Sequence, residues 1–299
     1  MPTSRVRVAT GMELAYETFG APQDPAVVLV MGLGTQMLAW PDRLCEDLAE
    51  RGLHVVRFDN RDVGESTHLE GVRAPKLVDL VTRRKRPPYT VDDMADDCAG
   101  LVDALGLRDV HLVGASLGGY IAQTVALRHE EKLASLTLFM TSTGSRRVGQ
   151  PDPRLLSRLV KGRSASSREE AVDAVLDTFR VIGSKGYALD EEHLRDLAGR
   201  SWDRGYDRQG YYRQLAAAVA QRDRTARLRR LRLPTLVVHG LADPLVRPSG
   251  GLAVAEAVPG ARFVGFAGMG HDLPSALWGE FADLIAGNVQ RALAADVAV

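Results

Sequence analysis

Eight short runs dominated by valine, leucine and other apolar residues recur along the chain, separated mostly by segments whose apolar positions are spaced for helices. The runs are VRVAT (6–10), LAYETF (14–19), AVVLVM (26–31), HVVRFD (54–59), VHLVGA (110–115), SLTLFM (135–140), PTLVVHG (234–240) and ARFVGF (261–266). Most are continuous rather than alternating, which suits strands buried on both faces of a parallel sheet. The helical segments are LAWPDRLCEDLAERG, VDDMADDCAGLVDALGL, GGYIAQTVALRHEE, GGLAVAEAV and a last one after Pro274. Thr90 with Asp93 three residues on reads as a helix start, an N-cap followed by a first-turn acid. Strand and helix alternate on both sides of the middle of the chain. The pattern predicts a doubly wound α/β fold.

The alternation stops between about Gly144 and Arg232. Apolar residues there recur at helical spacing, as in REEAVDAVLDTFRVI and EEHLRDLAGRSW, and no run reads as a strand. Three to five helices are expected, inserted between the sixth and seventh strands as a cap over residues 145–232, with residues 1–144 and 233–299 forming the core. Charge is uneven across this division. Residues 145–232 carry 20 basic and 12 acidic side chains, an excess that reads as a solvated outer face. The run Arg83-Arg84-Lys85-Arg86 before Pro87-Pro88 is expected in an exposed loop.

Composition narrows the function by exclusion. The 299 residues are 45% apolar and 25% charged with a formal net charge of zero, which argues against nucleic acid or a membrane as partner. No stretch approaches the roughly 20 apolar residues of a membrane helix. The N-terminus lacks the apolar run and cleavage site of a signal peptide, so a cytoplasmic protein is expected. Cys45 and Cys98 are the only cysteines and lack metal-ligand spacing, so two buried thiols are expected.

The chemistry is concentrated in LVGASLGGY, residues 112–120. Its Gly114-Ala115-Ser116-Leu117-Gly118 has the G-x-S-x-G form that presents a serine on a sharp strand-to-helix turn. A serine hydroxyl is a poor nucleophile at neutral pH and needs a base, itself held by an acceptor. Two later strands supply candidates in the order this arrangement requires. Asp243 follows TLVVHG and His271 follows RFVGF, each just past the carboxyl end of a strand, where open parallel sheets build their sites. The loop after the sixth strand, MTSTG, offers no carboxylate in place of Asp243. An oxyanion needs two N–H donors: that of Leu117 directly after the serine, and one from VMGLGTQ after the third strand, assigned to Leu33. A serine triad requires no metal and no cofactor, and none is expected.

The stretches VMGLGTQMLAWPD, RFDNRDVGEST, PYTVDDMADD, LVGASLGGYIAQ, LVVHGLADPLV and GMGHDLP together resemble the α/β-hydrolase superfamily over essentially the whole chain. Within it they are most similar to esterases of the aclacinomycin methylesterase type. The resemblance implies a mostly parallel eight-stranded sheet with the second strand antiparallel, helices on both faces, a helical cap after the sixth strand, and the triad Ser116, Asp243 and His271. One position departs: many members carry His-Gly at the oxyanion loop, whereas Met31 precedes Gly32 here. Because the donor is a backbone amide, Met31 is expected to alter packing and leave the hole intact.

Other polar residues read as structural. His239, His54, His111 and His129 are expected in packing or hydrogen-bonding roles, and Asp272 as a solvent-facing or supporting neighbour of His271. Asp92, Asp93, Asp96 and Asp97 fit one solvated helix face, and Arg61 and Asp62 are expected to orient their loop through backbone contacts. Pocket candidates are Leu33, Trp40 and Met140 from loops at the active edge, with Trp202, Tyr206, Tyr211 and Tyr212 from the cap. The expected activity is hydrolysis of a small-molecule carboxylic ester through an acyl-enzyme. The same triad serves lactones, macrolide rings, thioesters, certain carbon–carbon bonds and cofactor-free perhydrolysis, and a receptor of this fold turns over slowly. The sequence leaves open the physiological ester and whether the chain forms a homo-oligomer.

Overall fold

In the computed structural model, which describes residues 3–76, 78, 85–155 and 165–296, all eight apolar runs carry a strand of a single sheet. Arg83 and Arg84 of the basic run lie outside the described residues. The strands are β1 (Ser4–Arg7), β2 (Glu13–Phe19), β3 (Ala26–Val30), β4 (His54–Phe58), β5 (Val110–Ala115), β6 (Leu133–Phe139), β7 (Thr235–Gly240) and β8 (Arg262–Phe266). Their order is β1-β2-β4-β3-β5-β6-β7-β8. β2 pairs antiparallel with β1 and β4, and every later pairing is parallel. β1 starts and ends earlier than residues 6–10, because the chain turns at residues 8–12, where Val8 N–H donates to Met12 C=O and Gly11 adopts φ +87°.

The continuous apolar runs are explained by two layers of helix. In β3 every residue is buried: Ala26, Val28 and Val30 face one core, Val27 and Leu29 the other. The first core packs under α2 (Val91–Ala104), α3 (Leu117–Arg128) and α8 (Ser249–Ala257), and the second under α1 (Asp42–Glu50) and α9 (Trp278–Asp296). β8 is an edge strand and correspondingly more exposed. α2 begins with the reciprocal pair expected of Thr90 and Asp93: Asp93 N–H donates to Thr90 Oγ1, and Thr90 N–H to Asp93 Oδ2 at 2.7 Å. Both cysteines are buried, and desolvation pushes each thiol up to about 12. Among the described residues, no helix is long and apolar enough to cross a membrane.

Between β6 and β7 the described helices are α4 (Arg168–Ile182), α5 (Glu191–Arg204), α6 (Arg208–Ala220) and α7 (Thr225–Leu228). α4 and α5 share a small core of their own, with Val172, Leu176, Leu194 and Ala198 buried together. α6 and α7 add Ala217 and Leu228 to the first core, and buried ion pairs tie α5 and α6 to the loops after β3 and β4. Arg204 pairs with fully buried Asp59 at 2.5 Å and with Gln36 at 3.0 Å; Arg213 pairs with fully buried Asp62 at 2.7 Å.

Two expectations are corrected here. The four aspartates of α2 do not form one solvated face: Asp97 is buried and takes both Arg61 Nε (2.5 Å) and Nη2 (2.7 Å), while Asp93 caps the helix and Asp96 meets Arg128 and His129. Arg61 and Asp62 act chiefly through side chains. Arg61 pairs with Asp97, and Asp62 pairs with Arg213 besides accepting Leu69 N–H at 2.8 Å.

Asp97→Ala removes the carboxylate that pairs with the buried Arg61 guanidinium and is expected to cost about 3–5 kcal/mol in urea unfolding, whereas exposed Asp92→Ala should stay within about 0.5 kcal/mol. Neither thiol should react with a disulfide reagent in the native protein, and both should react once it is unfolded.

Candidate active site

LVGASLGGY folds as the end of β5, one serine, and the first turn of α3. Ser116 adopts φ 56°, ψ −117°, a left-handed conformation that a side chain rarely accepts. The surroundings hold it there. Ser116 N–H donates to Phe139 C=O at 2.9 Å, and its own carbonyl accepts Thr141 Oγ1 at 2.9 Å. The turn is so tight that the flanking glycines are sterically required: a β-carbon on Gly114 would run into the Gly118 carbonyl, and one on Gly118 into the Val30 carbonyl at the end of β3. The strain is concentrated on the residue expected to react, as is usual at functional sites.

Asp243 and His271 meet across the ends of β7 and β8. His271 Nδ1 lies 2.7 Å from Asp243 Oδ2, and Asp243 is buried. The other carboxylate oxygen, Oδ1, accepts Leu245 N–H at 2.8 Å and Val246 N–H at 2.9 Å. An ionised carboxylate only accepts, so the proton of this hydrogen bond sits on His271 Nδ1 and leaves Nε2 as the basic nitrogen. Among the described residues neither His271 Nε2 nor Ser116 Oγ is engaged in a hydrogen bond, a looseness common where no substrate is bound.

His239 lies behind this pair, with Nε2 3.7 Å from Asp243 Oδ2. Nε2 donates instead to Val246 C=O at 2.7 Å, and desolvation lowers the ring's pKa. A neutral His239 leaves the Asp243 charge to His271. His271 is also tied to the inserted helices. Its N–H donates to Ile182 C=O at 2.8 Å, and Gly270 N–H to Ser184 Oγ at 3.0 Å. Ser184 in turn donates its hydroxyl (2.6 Å) and N–H (3.0 Å) to Asp272 Oδ1. Asp272 thus braces the loop that carries His271.

The loop after β3 closes the fourth side. A β-carbon on Gly32 would sit 3.1 Å from Ser116 Cβ and 3.6 Å from its Oγ, so this backbone runs in van der Waals range of the serine. Leu33 follows directly, and Leu117 opens α3. No hydrogen bond within the described residues engages the N–H of either. Leu117 N–H, the first of its helix, has no intrahelical acceptor and carries the positive end of the helix dipole.

The pocket candidates divide. Trp40 has no accessible surface and packs edge-on to Phe139 at 6.0 Å, so it belongs to the core and not, as expected, to a pocket wall. Met140 is buried directly after β6 with φ 46°. On the inserted helices Trp202 stacks on Tyr206, and Tyr212 sits edge-on to Tyr211 with the Arg208 guanidinium over its ring. Asp62, His68 and Asp207 bring ligating atoms within 4.8 Å of one another, but Arg213 is 2.7 Å from both carboxylates and already occupies them as an ion-pair partner. A cavity of about 910 Å³ beside them is lined by residues of 68–73 and 205–213, with none of Ser116, Asp243 or His271.

Gln36, Arg204, Arg213 and Gln214, which join the inserted helices to the loops around Ser116, were not legible in the sequence. On a helix, polar residues at this spacing look the same whether they face water or a buried seam.

A family model described as the alpha/beta hydrolase fold matches residues 25–274. Rhodomycin D methylesterase DauP of Streptomyces sp. (strain C5) is 28% identical over 312 residues, covering 98% of this chain and 99% of that protein. Rhodomycin D methylesterase DnrP of Streptomyces peucetius is 28% identical over 314 residues with the same coverage. Among solved structures, a hydrolase from Pseudomonas aeruginosa PA01 superposes with a TM-score of 0.69 at 26% identity, covering 97% of this chain and 98% of that one.

Gly118→Ala is expected to lower stability by at least about 1–3 kcal/mol in thermal unfolding, because backbone on both sides of the turn has to move. Gly287→Ala, in open space on α9, should be neutral or stabilising by up to about 1 kcal/mol.

Proposed function

The chain belongs to the α/β-hydrolase family, and from that premise we propose that it is a serine carboxylesterase whose substrate is a small-molecule ester. The observation that carries this reading is the Asp243–His271 hydrogen bond of 2.7 Å beside a serine held at φ 56° against the Gly32 loop. Similarity to rhodomycin D methylesterases over nearly the whole chain favours a methyl ester.

In the proposed reaction Ser116 Oγ attacks the ester carbonyl as His271 Nε2 takes the hydroxyl proton. Asp243 keeps the proton on Nδ1 and stabilises the imidazolium. The carbonyl oxygen becomes an oxyanion, met by Leu33 and Leu117 N–H groups that need no reorganisation. The tetrahedral intermediate collapses as His271 returns its proton to the leaving alcohol, which for a methyl ester is methanol. Water, deprotonated by His271, then attacks the acyl-serine, and the carboxylate product leaves Ser116 protonated. The helices inserted between β6 and β7 act as a cap, residues 145–232, over the acyl side of the substrate.

Ser116→Ala should lower turnover of the best ester by several orders of magnitude, and Asp243→Asn by about 10⁴-fold through loss of the correct histidine tautomer. The measurement is a panel of short acyl esters, polyketide methyl esters and macrolactones with native and Ser116→Ala enzyme side by side. Near-native turnover by the alanine variant would falsify the assignment. A burst without turnover on every ester would point to a receptor, and preference for macrolactones over methyl esters to a lactone hydrolase.

A further inference from the structure

One buried side chain of the inserted helices contacts the oxyanion loop and takes no part in the reaction above. Gln214, on α6, has no accessible surface. Its Oε1 accepts Gly34 N–H at 2.8 Å, and its Nε2 donates to Arg61 C=O at 2.8 Å. The amide has only one workable orientation: turned over, it would set its NH₂ against the Gly34 N–H and its oxygen against the Arg61 carbonyl.

Its anchor is firm. Arg61 is held on α2 by two hydrogen bonds to Asp97, and the neighbouring Arg213 is held by Asp62. Gln214 therefore reaches the loop from a helix that is itself pinned, through Arg213, to the segment after β4.

The loop needs such a support. Gly32 and Gly34 flank Leu33, and glycine leaves the intervening peptides more free to rotate than any other residue would. Gly34 N–H belongs to the peptide that begins with the Leu33 carbonyl, and that carbonyl accepts Thr35 Oγ1 at 3.0 Å. The preceding peptide bears the Leu33 N–H, and its Gly32 carbonyl accepts Thr35 N–H at 3.4 Å. Gln214 holds the following peptide from outside the loop. Tyr211 of the same helix packs on Gly34, at φ +62°, where a β-carbon would enter the ring.

We propose that Gln214 is a positioning residue for the oxyanion hole. It holds the Gly32–Gly34 loop so that Leu33 N–H faces the developing oxyanion, and it makes that geometry depend on the docking of α6. The inference rests on the assignments of Ser116 and Leu33 under the proposed function. Removing the side chain leaves the buried Arg61 C=O without its partner, frees the Gly34 N–H and so releases one end of the loop.

The test compares Gln214→Leu and Gln214→Asn, whose amide is one carbon too short, with the native enzyme on its best ester. Affinity for a trifluoromethyl ketone, which forms a tetrahedral adduct with the serine, is measured alongside. The expected result is a kcat about 10–100-fold lower for Gln214→Leu and a smaller loss for Gln214→Asn. KM should be little changed, and inhibitor affinity should fall in step with kcat/KM. A role confined to packing would lower the melting temperature and leave kcat per folded molecule and inhibitor affinity unchanged, and that result overturns the proposal. If Gln214→Leu does not fold, Gln214→Asn decides by the same two readouts. Ser116→Ala is assayed in parallel: an inactive Ser116→Ala beside a Gln214 variant of native kcat defeats this inference alone, whereas an active Ser116→Ala defeats the proposed function beneath it.

Discussion

The backbone of α3 passes so close to β3 that residue 118 has room for hydrogen only. That approach is the constraint on which the rest of the site depends. It forces the chain to leave β5 in a single left-handed residue, and Ser116 is that residue. The same contact sets Leu117 N–H beside the serine and brings the Gly32 loop, which continues β3, into van der Waals range of it. Strain at Ser116 is sustained because the sheet and two hydrogen bonds of the turn determine its backbone on both sides.

Around this point the molecule uses two kinds of cohesion. The sheet and its flanking helices are held by buried apolar layers, where a single lost side chain leaves a cavity. The inserted helices have a small apolar core of their own, send Ala217 and Leu228 into the core beside the sheet, and are tied to the loops after β3 and β4 through buried charges and amides: Arg204 with Asp59, Arg213 with Asp62, Gln214 with Gly34 and Arg61. Such pairs add little net stability over a well-packed apolar seam, but each is satisfied in only one docked position. The consequence falls on the site, because the docked helices touch both the Leu33 loop and, through Ile182 and Ser184, the loop of His271.

The strands were legible because the sheet is covered on both faces. Burial on two sides demands continuous apolar runs, and β3 to β7 read that way directly. β1, exposed and short, was displaced by two residues at its start, since its ends are set by a turn with a glycine at positive φ and not by burial. G-x-S-x-G was legible because its glycines answer a local steric demand. The acidic string of α2 misled: spacing places four carboxylates along a helix but does not say which one a distant arginine turns inward to meet.

What the sequence determined by itself is therefore what local physics imposes: period, caps, turn glycines, and the chain order of Ser116, Asp243 and His271 at strand ends. What only the tertiary structure decided is how residues far apart in sequence satisfy one another. It brings Asp243 within 2.7 Å of His271 across 28 positions, and Gln214 within 2.8 Å of Gly34 across 180. It also buries Trp40 in the core. A buried polar group must find its partner wherever the fold brings one, and no periodicity along the chain carries that information.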